Sequence, residues 1–435
     1  MKLKVKGLNE YFNDEFTYKI IIVFLGVFYW IYGFMPLVHN LFHIISVICF
    51  IKILFLYIKF RLDFTMIFPI IIVFSCLLTM VFNSVNVANA TGMLYIMIET
   101  ILLVHCNPNK TVEKLQREFY FIAKSFIFIG SVIILVSLCT YFLGISKQYF
   151  YPSILNTPLL LGRSTSTNAL TGIMANSNMA SNFFLIYLGF LLYLIGIKGI
   201  KKRFVLCFGL DIVALYYTFS RGAYIGTIVL LGTCLLLNLW RKFNNSYGKL
   251  LLKLLVLFLG ISVVFLLFFA DVDYIVGMVN ITGRDTGEMG RSTLIRFMLW
   301  ETGIRIALSS ITVFLFGVGV DIKEAVRSFD IIGFKEGYYS NLHSVYLQTL
   351  VGLGFIGLFL FLIYVLKFVF QSIVSYLKHC EKLKDVIPII GLCLAILIVN
   401  LVENDMYVKK TFEGTIFWVC CGYLNRFSNN CSEKC

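Results

Sequence analysis

The sequence predicts an all-α, polytopic integral membrane protein, and three observations predict it. Of its 435 residues, 59% are hydrophobic and only 14% are charged, whereas a soluble globular chain is about a quarter charged. The apolar residues come in runs of roughly 17–25, the length a helix needs to cross a bilayer. Lysine and arginine alternate between the connecting segments in register with those runs, as they do when positive residues are retained on the cytoplasmic side.

The runs predict twelve spans, near 18–36, 38–58, 64–82, 91–106, 121–144, 178–197, 204–220, 222–240, 250–270, 344–370, 386–403 and 411–425. With the N-terminus inside, the inner segments hold 25 of the 37 lysines and arginines. Seven of the others fall in segment 271–343 and five in the remaining exterior turns. Both termini are therefore expected in the cytoplasm. The first span has no small-residue cleavage site behind it, so it reads as a retained helix rather than a removed signal peptide. The net charge of +14 is a topology signal and an affinity for anionic headgroups; no nucleic-acid-binding module is visible. No cysteine lies between Cys234 and Cys380, and no C-x-x-C pair points to zinc. Neither a metal nor a cofactor is expected.

Residues 1–435 read as one transmembrane domain with two long exterior segments. The first, 145–177, runs through Tyr149, Phe150, Tyr151 and Pro152 to Arg163 and then Asn176-Ser177-Asn178. Aromatics followed by small polar residues suit an interfacial loop capping a cavity. The second, 271–343, joins the ninth and tenth spans. It holds seven basic and nine acidic residues, so it is no general basic patch. Within it Leu294, Ile295, Met298, Leu299, Thr302 and Ile306 recur at helical spacing, which predicts a helix over 291–311 lying on the membrane surface. The run Ile311 to Val320 is too short to cross and ends in Gly317-Val318-Gly319, which permits a sharp turn. Gly352, Gly354 and Gly357 are spaced like the glycines of closely packed membrane helices.

A few polar residues at span ends could carry chemistry. Arg221 sits in Thr218-Phe219-Ser220-Arg221-Gly222, between two apolar runs on the side that disfavours cations. It either snorkels to headgroups or clamps an anion, since guanidinium matches phosphate oxygens in a bidentate way. Arg296 lies one helical turn before Trp300. Arg291, five residues before Arg296, points about 140° away on a helix, so the two need not share a ligand. Arg291 and Arg284 are either simply solvated or reserve anion contacts. His343 opens the tenth span and reads as a helix-end histidine or as a general base, because imidazole takes a proton near neutral pH. Glu403 and Asp405, at the exterior end of the eleventh span, read as residues that solvate a turn, or that assist the histidine.

Taken in order, Ser220-Arg221-Gly222, Arg296-x-x-x-Trp300, Gly317-x-Gly319, then His343 leading into Tyr346-Leu347-Gln348 and Gly352-Leu353-Gly354 resemble the O-antigen ligase and O-antigen (capsular polysaccharide) polymerase superfamily. The resemblance covers about 218–360. Phe314 stands where the family often has proline, and Ser344 where asparagine commonly follows the histidine.

The resemblance implies a GT-C-like, metal-independent, inverting glycosyltransferase of the bacterial cytoplasmic membrane, working on its outer face. The donor would be an oligosaccharide on undecaprenyl diphosphate. Arg221 and Arg296 would grip the diphosphate and His343 would activate the acceptor hydroxyl. Arg291, Arg284, Tyr346, Gln348 and Trp300 would line the substrate site. Polymerisation of repeat units is the expected reaction, with ligation of finished glycan to a lipid or protein as the alternative and a flippase of lipid-linked oligosaccharide as the second. Expected partners are the lipid-linked oligosaccharide, membrane lipid, and a chain-length regulator and flippase of the same pathway.

Overall fold

The computed structural model describes residues 15–32, 111–145, 148–150, 159–163, 168–174, 176–242, 286–328, 342–378, 384–403 and 412–432, with isolated residues between 41 and 104. These residues are mostly helical. Four of their helices are long and apolar enough to cross a membrane: Val112–Phe142, Ser177–Lys198, Arg221–Trp240 and Val345–Leu377. Eight expected spans have a helical counterpart in α1 (Glu15–Tyr32), α2 (Val112–Phe142), α3 (Ser177–Lys198), α4 (Lys202–Thr218), α5 (Arg221–Lys242), α9 (Val345–Lys378), α10 (Ile387–Val399) and α11 (Phe412–Ser432). The expected spans at 38–58, 64–82, 91–106 and 250–270 lie largely outside the described residues.

The all-α expectation needs one correction. Segment 145–177 contains a three-stranded antiparallel sheet in the order β1 (Gln148–Phe150), β2 (Leu159–Arg163), β3 (Leu170–Gly172). Its strands are three to five residues long, too short to show a two-residue alternation in the sequence. Gly172, at φ +57, is the close contact between sheet and bundle, because a Cβ there would overlap the Ser137 side chain of α2.

At the centre of the bundle is α3. Phe183, Phe184, Tyr187, Phe190 and Tyr193 are all fully buried, and a helix that is apolar all round belongs in a core. It packs on α2, α4, α5 and α10. Asn176 caps its start by accepting from the Met179 amide at 2.8 Å, and Gly199 at φ 73 ends it. Helices α5 and α10 meet through small residues. A Cβ at Gly226 would stand 2.7 Å from Leu185 and 2.8 Å from Val399, and one at Gly391 would stand 3.0 Å from the Leu230 carbonyl oxygen. Such spacing lets two backbones approach closely in a membrane.

The segment between the ninth and tenth expected spans supplies α6 (Thr286–Ala307), α7 (Ile311–Phe316) and α8 (Lys323–Ser328). The helix expected over 291–311 is thus longer at its start and ends at Ala307. After α7 the chain turns at Gly317 (φ 76) and Gly319 (φ 113). There the Val318 amide donates to the Val351 carbonyl at 2.8 Å, and the Gly319 amide to Gly352 at 3.0 Å. Those carbonyls can accept because α9 is interrupted at Gly354 (φ 69, ψ −174). The tenth span is therefore a broken helix rather than the continuous one expected. Its glycines serve backbone-on-backbone contact: a Cβ on Gly354 would overlap Leu315, and one on Gly317 would overlap Gly352.

Replacing Gly354 by alanine combines positive-φ strain with a backbone clash. It should destabilise the protein by about 3 kcal/mol or more. Gly209→Ala in α4, where a Cβ meets nothing within 4 Å, should be neutral or mildly stabilising. Thermal melting in detergent measures both.

Candidate functional site

The site is built on the short turn that follows α10. Asn400 closes that helix with its amide on the Ile396 carbonyl at 3.0 Å and its side-chain nitrogen on the same oxygen at 2.8 Å. Val402 then donates to Val399 at 3.1 Å, and the chain delivers Glu403, only 9% exposed. An acid out of water at a membrane edge is costly unless it is paired, and Glu403 is paired on three sides.

From α6, Arg296 donates through Nη1 to the Val402 carbonyl and through Nη2 to Glu403 Oε1, both at 2.7 Å. Asn178, in the first turn of α3, donates through Nδ2 to the same Oε1 at 3.0 Å. On the other carboxylate oxygen, His343 Nδ1 stands 3.9 Å from Oε2, an ion-pair distance longer than a hydrogen bond. The backbone closes the arrangement: the Val345 amide is 3.1 Å from both the Asn400 and Glu403 carbonyl oxygens. Segments some 225 residues apart in sequence thereby meet at one carboxylate.

His343 holds φ +47, the left-handed region that a non-glycine residue visits at a cost. This backbone turns the chain sharply into α9. The next residue, Ser344, is buried, and its Oγ accepts from the Leu347 amide at 3.5 Å. Serine thus takes a helix-capping place at the position where asparagine was noted as common.

Arg221 begins α5. Its approach is set by Phe219 at φ +53, which ends α4. It is also set by Gly222, where a Cβ would stand 3.6 Å from Val402. The Arg221 and Arg296 charges are close enough to oppose one another.

Burial pushes the Glu403 carboxyl up, but His343 on one side and the charge and hydrogen bond of Arg296 on the other outweigh it. Glu403 is held below the ordinary carboxylate range.

Tyr346 donates to the Leu397 carbonyl at 2.9 Å, which ties α9 to α10, and Gln348 is buried. Trp300 is half-buried, with its ring edge-on to Phe297 at 5.4 Å. Arg305 pairs with Glu301 at 2.6 Å on an exposed face, an interaction worth a few tenths of a kcal/mol. Arg291 lies on α6, but its side chain, like Arg284 and Asp405, lies outside the described residues. The sequence reading of Glu403 as a turn-solvating residue is corrected: it is buried and forms the centre of the cluster. Asn178 was read only as part of a polar loop. The available signal for Glu403 is an acid at the end of an apolar run that is broken near its close by Asn400.

The lowered acidity range of Glu403 has a stability consequence. A carboxylate depressed on folding adds stability above its unfolded value of about 4.3, and that stability is lost as pH falls through the folded value. Glu403→Gln should cost about 2 kcal/mol at neutral pH. The wild-type and variant melting curves should converge only below about pH 4, as thermal scans across pH would show.

The profile of the O-antigen ligase family matches residues 204–362. This stretch runs from α4 into α9 and carries Arg221, Arg296 and His343, while Asn178 and Glu403 lie outside it. Members of that family are glycosyltransferase-like enzymes that act on glycans. No curated protein matches the chain. The chain is therefore a helical membrane protein whose residues 204–362 are similar to the O-antigen ligase family.

Proposed function

We propose that the protein is a surface-polysaccharide polymerase of the bacterial cytoplasmic membrane. It would transfer glycan from undecaprenyl diphosphate to a hydroxyl of another lipid-linked repeat unit. The observation that carries this reading is the meeting of Arg296 and His343 on the two oxygens of Glu403, with the Arg221 charge alongside. In this reading the guanidinium binds the anion and the neighbouring imidazole accepts the proton.

In the proposed reaction the bond between the anomeric carbon and the diphosphate oxygen breaks as the acceptor oxygen attacks from the opposite face. A single displacement inverts the anomeric centre. Charge grows on the departing diphosphate, and fixed guanidiniums stabilise it there without reorganisation, the part often taken by a metal ion. Two of the donors of Arg296 are committed to Val402 and Glu403. Guanidinium has five in all, so three remain for phosphate oxygens.

The acceptor proton passes to His343. With Nδ1 toward Glu403, Nε2 on the opposite edge of the ring takes it. The carboxylate then stabilises the imidazolium and fixes its orientation, as an acid behind a catalytic histidine does. The proton leaves to solvent on the outer face.

The family's description as O-antigen ligase favours a second reading, transfer of finished glycan to a lipid or protein acceptor. The same residues serve either acceptor. Single alanines at Arg221 and at His343 should each abolish the mature product, with rate losses of about 100-fold or more. A gel of surface polysaccharide would then show single repeats capping the surface if the protein is the polymerase. Free polymer retained on its carrier would identify the ligase. Lipid-linked repeats accumulating on the inner face would overturn both and mark a transporter.

A further inference from the structure

The hydrogen bond from Asn178 to Glu403 is not needed to bind diphosphate and is not supplied by the family-matched region, yet it contacts the carboxylate directly. Asn178 is the second residue of α3. Asn176 caps that helix through Met179, and the Asn178 carbonyl accepts from Ser181 Oγ at 2.7 Å. Its backbone is therefore tied into the first turn of the most buried helix in the bundle. From this rigid base the amide reaches Oε1 of Glu403, the oxygen that also receives Arg296.

The residue type is informative. The first turn of a helix favours aspartate or glutamate, because the helix dipole is positive there. Beside a buried carboxylate an acid would repel, whereas an amide of the same shape donates. Asparagine gives up the dipole term and gains the bond.

Two donors on one oxygen also fix an angle that one cannot. With Arg296 alone, the carboxylate could rotate about its terminal bond and carry Oε2 away from His343. With Asn178 as well, Oε2 is directed to the ring.

We infer that Asn178 is a positioning residue for the transfer reaction, setting the orientation of Glu403 and through it the proton-accepting histidine; this rests on the reading given under Proposed function. It acts on the chemical step and not on donor binding. It also makes the outer end of α3, directly after the three-stranded sheet, part of the reaction's machinery.

The test uses the full chain in lipid nanodiscs and, as probe, the undecaprenyl-diphosphate-linked repeat unit extracted from a strain lacking this chain. Asn178→Asp keeps the shape and suits a helix start, but it sets two carboxylates face to face. It should lower kcat about 10- to 100-fold and leave KM within about twofold. The added negative charge should move the acid limb of the pH–rate profile to higher pH. In a Glu403→Gln background the same substitution should cost no more than about twofold further, because its effect passes through Glu403. Asn178→Ser, which keeps a helix-start residue but cannot reach Glu403, should show the same kcat loss at temperatures well below its melting transition, where the variant is fully folded.

Equal losses in both backgrounds, an unshifted pH profile, or a kcat loss in Asn178→Ser that tracks its melting would each reduce Asn178 to a structural residue and overturn the inference. Wild-type protein that elongates nothing would instead sink the functional reading, and this inference with it. The two failures are therefore distinguishable.

Discussion

One carboxylate, placed where water is scarce, organises one end of this helical bundle. Glu403 is nearly buried and accepts from Arg296 on α6 and Asn178 on α3, with His343 of the α9 junction on its other side. Removing any one partner leaves the others facing a charge they cannot fully offset, because Coulomb interactions strengthen as the surroundings dry out. The same scarcity of water turns an ordinary cluster of polar residues into a place where charge can be managed.

The cluster can hold its geometry because the elements beneath it are joined by backbone. Helices α5 and α10 approach through Gly226 and Gly391, which brings Gly222, and so its neighbour Arg221, against the turn that bears Val402 and Glu403. Helix α9 is anchored by the Val345 amide to that same turn and by its interruption at Gly354 to the segment after α7. These contacts involve main-chain atoms and short side chains, which lose little conformational freedom on packing. Each polar side chain in the cluster therefore leaves a rigid base.

The membrane class and eight of the helices were legible in the sequence because apolar length is a direct reading of bilayer thickness. Arg221, Arg296 and His343 stand out in the sequence as candidates, since a cation or imidazole beside an apolar run has few cheap explanations. Asn178 did not, and Glu403 only as a residue that solvates a turn or assists the histidine. Each is an ordinary residue for its local position, an acid beyond an apolar helix and an amide in a first turn, and only a contact across 225 residues of sequence gives either a role. The small sheet escaped for a different reason: three-residue strands carry too few positions for periodicity. The break in α9 was hidden because glycines spaced for helix packing and a glycine at positive φ look alike when only composition is visible.

The Val318 and Gly319 amides are held by carbonyls of α9 and not by any side chain. The path from α7 back to the bundle is therefore indifferent to most of the residues around it, so long as the glycines stay. Sequence drift elsewhere in segment 286–328 can proceed without dragging Arg296 out of place. A fold joined in this way can vary its side chains while keeping its frame, because the stitching is written in main-chain atoms.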